Sequence, residues 1–191
     1  ALRARGAILS YHDRSDGGLW ATVCEMAFAG HVGVSLNVDL LVTEGDGIAD
    51  SRAEYGDSKN WATQVSARRH RLTLEALFAE ELGVVLQVPS AVRNEVMQTL
   101  RAHGLSKHSH FVGKTNDRGT MEVWRDAKAV FSAPLQALHQ AWDEVSWRIA
   151  RGRDNPACAD AEHAAAGAVD DPGLHVQLSF DPAEVPVAPL V

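Results

Sequence analysis

YHDRSDGGLWATVCEMAFAG, residues 11–30, joins a polar cluster directly to an apolar run. Acidic, basic and hydroxyl side chains crowd ahead of a glycine pair, and the chain then turns into an apolar run. Leu19, Val23, Met26 and Ala27 recur at i, i+4, i+7 and i+8, which is one face of a helix, and Gly30 supplies a left-handed stop. A helix is therefore predicted over residues 18–29. Ahead of the cluster, residues 7–11 are short and mostly apolar and read as a strand. Behind the helix, VGVSLNVDL alternates Val32, Val34, Leu36 and Val38, the period-2 pattern of a half-buried strand.

The chain continues in the same way outward from this unit. Residues 43–71 carry mixed charge, several glycines and no sustained periodicity, and read as a long loop or insertion. Thr73 is placed to cap a second helix with Leu74, Leu77, Phe78 and Leu82 on one face and Gly83 as its end. VVLQV, residues 84–88, reads as a buried strand, and Ser90 caps a third helix with Val92, Val96 and Leu100 inward and Gly104 as its stop. Strands are predicted at 108–115 and 120–125, separated by the turn residues Asn116, Asp117 and Gly119, and again at 129–132. Leu135, Leu138, Trp142, Val145 and Ile149 are spaced 3, 4, 3, 4, a narrow apolar seam that asks for a partner surface. From Asn155 onward Ala, Asp and Pro dominate until LHVQLSF, residues 174–180, which reads as one added strand. This order mixes parallel crossovers with a hairpin and predicts an α+β fold of helices layered on a mixed β-sheet, with a domain at 1–153 and a linker at 154–191.

A chain of 191 residues, 46% hydrophobic and 23% charged, is long enough for a globular domain with its own core. A net charge of −7 with scattered basic residues argues against nucleic acid or an anionic membrane as partner. No apolar run is long enough to span a bilayer and no leader pattern opens the sequence, so a cytoplasmic location is expected. Cys24 and Cys158 are far apart and belong to no C-x-x-C motif, which fits a reducing compartment with Cys24 in the core. The first residue is Ala and the last stretch, FDPAEVPVAPLV, is Pro-rich, as expected of a piece cut from a longer polypeptide.

HDRSDGG, residues 12–18, carries what a metal–phosphate site at a helix N-terminus needs. The positive end of the helix and its free N–H groups favour an anion, and Gly17 and Gly18 let a ligand approach the backbone. Asp13 and Asp16 are hard oxygen donors suited to magnesium, and Ser15 has a hydroxyl to offer a phosphate oxygen. The same letters fit a plain helix start, with Ser15 or Asp16 as cap and the glycines as a tight turn, and spacing alone leaves the two readings level. His12 by itself reads as a hydrogen-bonded turn residue.

Other candidates are weaker. His108 and His110 stand two apart on a predicted strand but have no third metal ligand in register. Glu80 and Glu81 are adjacent at a helix end and point apart, as a solvated terminus does. Arg151, Arg153 and Asp154 read as a lock on the end of the last helix, ahead of the alternative that they bind a phosphate. No G-x-S-x-G, phosphate-binding G-x-x-x-x-G-K-[ST] or activated thiol is present, so no self-sufficient active site can be built from this chain.

YHDRSDGGL, EMAFAGHVG, LFAEELGVVLQV, RIARGRDNPACADAEH and DPGLHVQLSFD, in this order, resemble the large single-chain formylglycinamide ribonucleotide amidotransferases, also called phosphoribosylformylglycinamidine synthases. The resemblance covers nearly the whole chain, with residues 43–71 longer than the family pattern. It implies the fold of the C-terminal domain of aminoimidazole ribonucleotide synthetase, here in the second of two fused synthetase-like units, followed by a linker to a glutaminase domain. The implied reaction is ATP- and glutamine-dependent conversion of the formylglycinamide ribonucleotide to the formylglycinamidine ribonucleotide in purine biosynthesis. Asp13 matches a family aspartate that binds magnesium at an ATP/ADP site, and Ser15 matches a serine that contacts this nucleotide. His12, Asp16, Gly17 and Gly18 share the motif without so definite a role. In the fused enzymes the second unit's nucleotide is structural, and the implied partners are the upstream synthetase-like units and the downstream glutaminase. Neither cysteine sits where a glutaminase nucleophile would, so the fragment alone is expected to be inactive. Two competing readings are a non-catalytic scaffold docked through the 3-4 seam, and a His-Asp metal phosphohydrolase, which would need further ligands on packed helices.

Overall fold

The structure, a computed structural model, describes residues 2–43, 61–166, 168, 176–181 and 183. In chain order these form β1 (Ser10–Asp13), α1 (Gly18–Gly30), β2 (Gly33–Asn37), α2 (Asp39–Thr43), α3 (Trp61–Phe78), β3 (Val84–Gln87), α4 (Arg93–Ala102), β4 (Gly113–Asn116), β5 (Thr120–Arg125), β6 (Lys128–Pro134), α5 (Leu135–Arg153) and α6 (Pro156–Ala165). A four-stranded mixed sheet runs β4-β2-β5-β6, with β2 and β5 parallel and the outer pairs antiparallel. A separate antiparallel ribbon pairs β1 with β3, Ser10 facing Gln87 and Asp13 facing Val84. The predicted class, helices layered on a mixed sheet, is the observed one.

Period-2 alternation along β2 and β5 sends Leu36, Met121 and Val123 to one face of the sheet. There they meet Leu19, Val23, Cys24, Ala27 and Phe28 of α1, with Leu77 of α3 and Leu135 of α5 completing the cluster. Each Leu, Val, Met or Phe side chain among them, fully buried, contributes about 1.5–3 kcal/mol. Trp20 closes the outer edge, edge-on to Phe131 of β6 at 5.2 Å between ring centroids. Cys24 lies in this core as predicted, and burial, helped by the adjacent Glu25 charge, pushes its thiol up to about 12. Among the described residues no helix is long and apolar enough to cross a membrane.

Several boundaries differ from the sequence reading. The first strand begins at Ser10 rather than at residue 7. α1 runs through Gly30, and His31, with φ of 49°, takes the left-handed position that Gly30 was expected to fill. Within the predicted 43–71 loop, residues from Trp61 onward belong to α3, while 44–60 lie outside the described residues. The run of basic residues that masked this helix is paired with acids: Arg69 reaches the distant Asp126 at 2.7 Å, and Arg71 reaches Glu75, one turn on in the same helix, at 3.4 Å. Thr73 is buried inside α3, and its hydroxyl donates back to the Arg69 carbonyl instead of capping. The helix stops at Phe78, so Leu82 is fully exposed and Gly83 is not its end.

The turn residues Asn116, Asp117 and Gly119 do not close a hairpin, because β2 lies between β4 and β5. The connection passes over the start of β2 at Gly33, where a Cβ would stand 2.2 Å from Asn116 Oδ1 and 2.7 Å from the Thr120 amide. Only a residue without a side chain lets the chain cross there. The real hairpin joins β5 to β6 through Asp126 and Ala127, both at positive φ.

β3 is half-exposed rather than buried, because its ribbon stands apart from the main sheet. In α5 the seam is covered at Leu135 and Leu138, while Trp142, Val145 and Ile149 stay exposed. Beyond it, α6 starts with Asn155 as cap, its side-chain oxygen accepting from Ala157 and Cys158 amides, and Pro156 follows at the first turn. It is held on α5 by a stacked Trp147–His163 pair and by Asp160, which accepts from both Trp147 Nε1 and Arg151 Nε at 2.9 Å. Cys158 is exposed on α6. Residues 176–180 form no strand, and Val176, Leu178 and Phe180 are exposed.

The face of the sheet away from α1 carries a polar cluster around buried Glu122. Its carboxylate accepts from Arg118 Nη2 at 2.8 Å, Trp124 Nε1 and Ser35 Oγ at 2.9 Å, and Thr120 Oγ1 at 3.1 Å. The Arg118 hydrogen bond, then that of Trp124, holds the carboxyl down to about 2, from an ordinary 4.5, against the opposing effect of burial. A depressed carboxyl stabilises the fold fully above pH 4.5 and loses that contribution as pH falls through about 2. Thermal unfolding of the wild type is therefore expected to drop more steeply between these values than that of Glu122→Gln. Parallel profiles would mean that the cluster is not formed.

Candidate functional site

β1 ends at Asp13 and α1 begins at Gly18, so the 12–18 motif is the corner between them. Its residues divide sharply into those the fold consumes and those it leaves open. Arg14 turns inward onto the C-terminus of α3: Nε donates to the Ala79 carbonyl at 3.1 Å and Nη2 to the Ala76 carbonyl at 3.3 Å. Glu81 lies 3.5 Å from Nη1, and the Arg14 amide donates to the Gly83 carbonyl at 2.8 Å. Helix C-termini leave carbonyls unbonded and carry partial negative charge, so a guanidinium is well matched there.

Gly18 is required by the same junction. A Cβ on it would stand 2.8 Å from the Phe78 carbonyl carbon and 2.9 Å from the Ala79 and Leu77 oxygens, and its φ is +67°. Gly17, at φ of 77°, donates its amide to Glu80 Oε1 at 3.1 Å, and the Gly18 amide bonds Ser15 O at 2.9 Å. Both glycine amides are thus engaged inside the protein, and what the pair provides is the shape of the turn. Thr22 Oγ1 lies within hydrogen-bond distance of the Asp13 and Gly18 carbonyls, tying the end of β1 to the first turn of α1.

His12 also faces inward. Its Nδ1 is 2.7 Å from the Asp13 carbonyl and its Nε2 is 3.1 Å from Glu25 of α1, which in turn accepts from Trp142 Nε1 of α5 at 3.3 Å. This residue links β1, α1 and α5, the bonded role that its lone position suggested.

Asp13, Ser15 and Asp16 are exposed on the outer side of the corner. Among the described residues the Asp13 carboxylate has His12 beside it, at 3.6 Å, and its side chain is 67% exposed. α1 has no side-chain cap: the N-cap is Gly17, and among the described residues neither the Ser15 nor the Asp16 side chain bonds an amide of the helix. The capping alternative that the spacing left open is not used. Among the described residues no group of three or more His, Cys, Asp or Glu could hold a metal by itself.

Sequence reasoning missed Arg14, Glu25 and Thr22, and it read Glu80 and Glu81 as a solvated helix end when both reach the motif corner. Their pairing depends on α3 ending beside the corner, which no local pattern encodes. His108 lies in a 3-10 turn and His110 outside β4, so the two do not share a strand. Arg151 and Arg153 pair with Asp160 and Asp154, locking the α5–α6 junction.

Three solved structures from Thermotoga maritima are similar to this chain, each aligned over 72% of it and 19% of the other chain. They are PurLQS, at 16% identity and a TM-score of 0.48; phosphoribosylformylglycinamidine synthase II, at 16% and 0.46; and PurL complexed with FGAR, at 17% and 0.47. The chain thus spans about a fifth of the length of these structures. The family described as AIR synthase related protein, C-terminal domain, matches residues 1–126, a span that holds the motif corner, α3 and the main sheet through β5, and the chain belongs to that family.

Proposed function

We propose that the 12–18 corner is one wall of a magnesium–nucleotide site in an ATP-dependent, purine-forming amidotransferase, the phosphoribosylformylglycinamidine synthase that the sequence resembles. One observation carries the reading: the fold uses Arg14, Gly17, Gly18 and His12 to build the corner and leaves Asp13, Ser15 and Asp16 projecting from it, without a capping role. One or two carboxylates beside a hydroxyl suit Mg2+, which keeps water and phosphate oxygens as its remaining ligands. Asp13 would hold the metal, with Asp16 as a second carboxylate, and Ser15 would donate to a phosphate oxygen. A bound magnesium–ATP or magnesium–ADP would neutralise phosphate charge across the domain boundary and, in the second unit, brace the fold.

In this reading residues 1–153 form the synthetase-type domain and 154–191 lead toward a glutaminase domain, the opening part of that lead folding as α6. Upstream synthetase-like units would complete the nucleotide site. The uncovered seam residues Trp142, Val145 and Ile149 favour a second role for the chain, as a scaffold docked on those neighbours. The test is an assay of the native polypeptide that carries this sequence beside the 191-residue chain alone. The native polypeptide should form the amidine with ADP, phosphate and glutamate as co-products, and the isolated chain should show no turnover. Turnover by the isolated chain, or metal-dependent phosphate release without glutamine, would favour a phosphohydrolase instead.

A further inference from the structure

We propose that Arg14 is a positioning residue: by clamping the corner to the end of α3 it fixes the loop that presents Asp13, Ser15 and Asp16, and it does not touch the ligand itself. The inference rests on the reading of this corner as a magnesium–nucleotide site.

An arginine in the middle of a polar motif would ordinarily be taken for a phosphate ligand. Here each of its three nitrogens already has a partner within the protein. Nε and Nη2 bond carbonyls at two levels of the α3 terminus, Nη1 faces Glu81, and the side chain is only 19% exposed. Its neighbours along the chain, Asp13 and Ser15, are exposed, so the backbone alternates outward, inward, outward through the site.

The clamp is reinforced on both sides. The Arg14 amide is bonded to Gly83, and three residues on, the Gly17 amide is bonded to Glu80. Between these anchors the Ser15 carbonyl accepts from the Gly18 amide, and among the described residues nothing bonds its hydroxyl. The geometry of the two carboxylates and the hydroxyl is therefore set by how the corner sits on α3. Lysine keeps the charge of Arg14 but lacks the planar fork that spans the two carbonyls.

The experiment uses the native polypeptide and measures ATP affinity by calorimetric titration with and without Mg2+, together with amide hydrogen exchange across residues 13–17. The wild type should bind ATP more tightly with magnesium than without. Arg14→Lys should lose at least about tenfold of that magnesium dependence, the scale of losing a ligand-orienting contact, while metal-free ATP affinity holds. Exchange at Ser15 and Asp16 should quicken in the same variant. Arg71→Lys, the same exchange at an α3 guanidinium 69% exposed and outside the corner, should behave as wild type. If Arg14→Lys fails to fold, Arg14→Gln, which keeps a donor within the stem's reach, is read in the same way.

Arg14→Lys with full magnesium dependence and unchanged exchange overturns the inference. So does a proportional loss of affinity with and without metal, which marks a residue that only holds the fold. A wild type with no magnesium-dependent binding overturns the site reading itself, and the inference falls with it.

Discussion

Replacing Gly18 by alanine is expected to cost about 3 kcal/mol or more of folding stability. Two effects add at this position. The backbone sits at φ of +67°, where an L side chain costs roughly 1–2 kcal/mol. The new Cβ would also stand 2.8–2.9 Å from three backbone atoms at the end of α3, and backbone cannot swing aside as the tip of a side chain can. Relieving the overlap means moving α1 off α3, a change of the overpacking kind that costs about 1–3 kcal/mol. For a chain of this size the midpoint of thermal unfolding should fall by roughly 6–12 °C. Gly152→Ala in α5 is the control, because a Cβ there meets nothing within 4 Å and removes backbone freedom from a helix. A loss below about 1 kcal/mol at Gly18 would mean that the two helix ends do not meet.

Asp13→Asn is expected to show the reverse pattern. The side chain is 67% exposed, and its one close neighbour, His12, is anchored through its ring nitrogens to Glu25 and to the Asp13 backbone carbonyl, which the substitution leaves in place. Stability should therefore change by no more than about 0.5 kcal/mol. Asparagine matches aspartate in shape but offers Mg2+ a neutral oxygen, so affinity for magnesium–ATP should fall by at least about tenfold, with ATP alone little affected. Calorimetric titration of the native polypeptide, paired with a thermal melt, reads both halves. A lowered melting point with unchanged affinity would make Asp13 a structural residue and move the site elsewhere.

These two residues show what was legible in the sequence. α1 was readable because Leu19, Val23 and Ala27 fall on one helical face and do bury, and β2 because Val34 and Leu36 alternate toward the core, with Val38 buried just past its end. The end of α3 was readable from Leu74, Leu77 and Phe78, but its earlier part was not, because its arginines look like a solvated loop until Asp126 is brought beside Arg69. The crossing over Gly33 was invisible for a related reason: the atoms that require glycine there belong to Asn116 and Thr120, far along the chain.

The site divides in the same way. Asp13, Ser15 and Asp16 could be nominated from their chemistry, because a magnesium–phosphate site draws on a short menu of donors. The capping alternative could not be removed until the structure showed Gly17 at the cap position. Arg14 could not be assigned from its neighbours, since its partner Ala79 lies 65 residues away. The side chains left over by the fold mark the proposed ligand, and those it consumes mark the scaffold.

The most direct measurement of the central claim replaces Mg2+ with paramagnetic Mn2+ in the ADP complex of the native polypeptide and reads amide line broadening by NMR. Amides of residues 13–17 should broaden more than the rest of this domain, and Asp13→Asn should remove the effect. Sharp signals throughout the corner, with broadening elsewhere or nowhere, would contradict it.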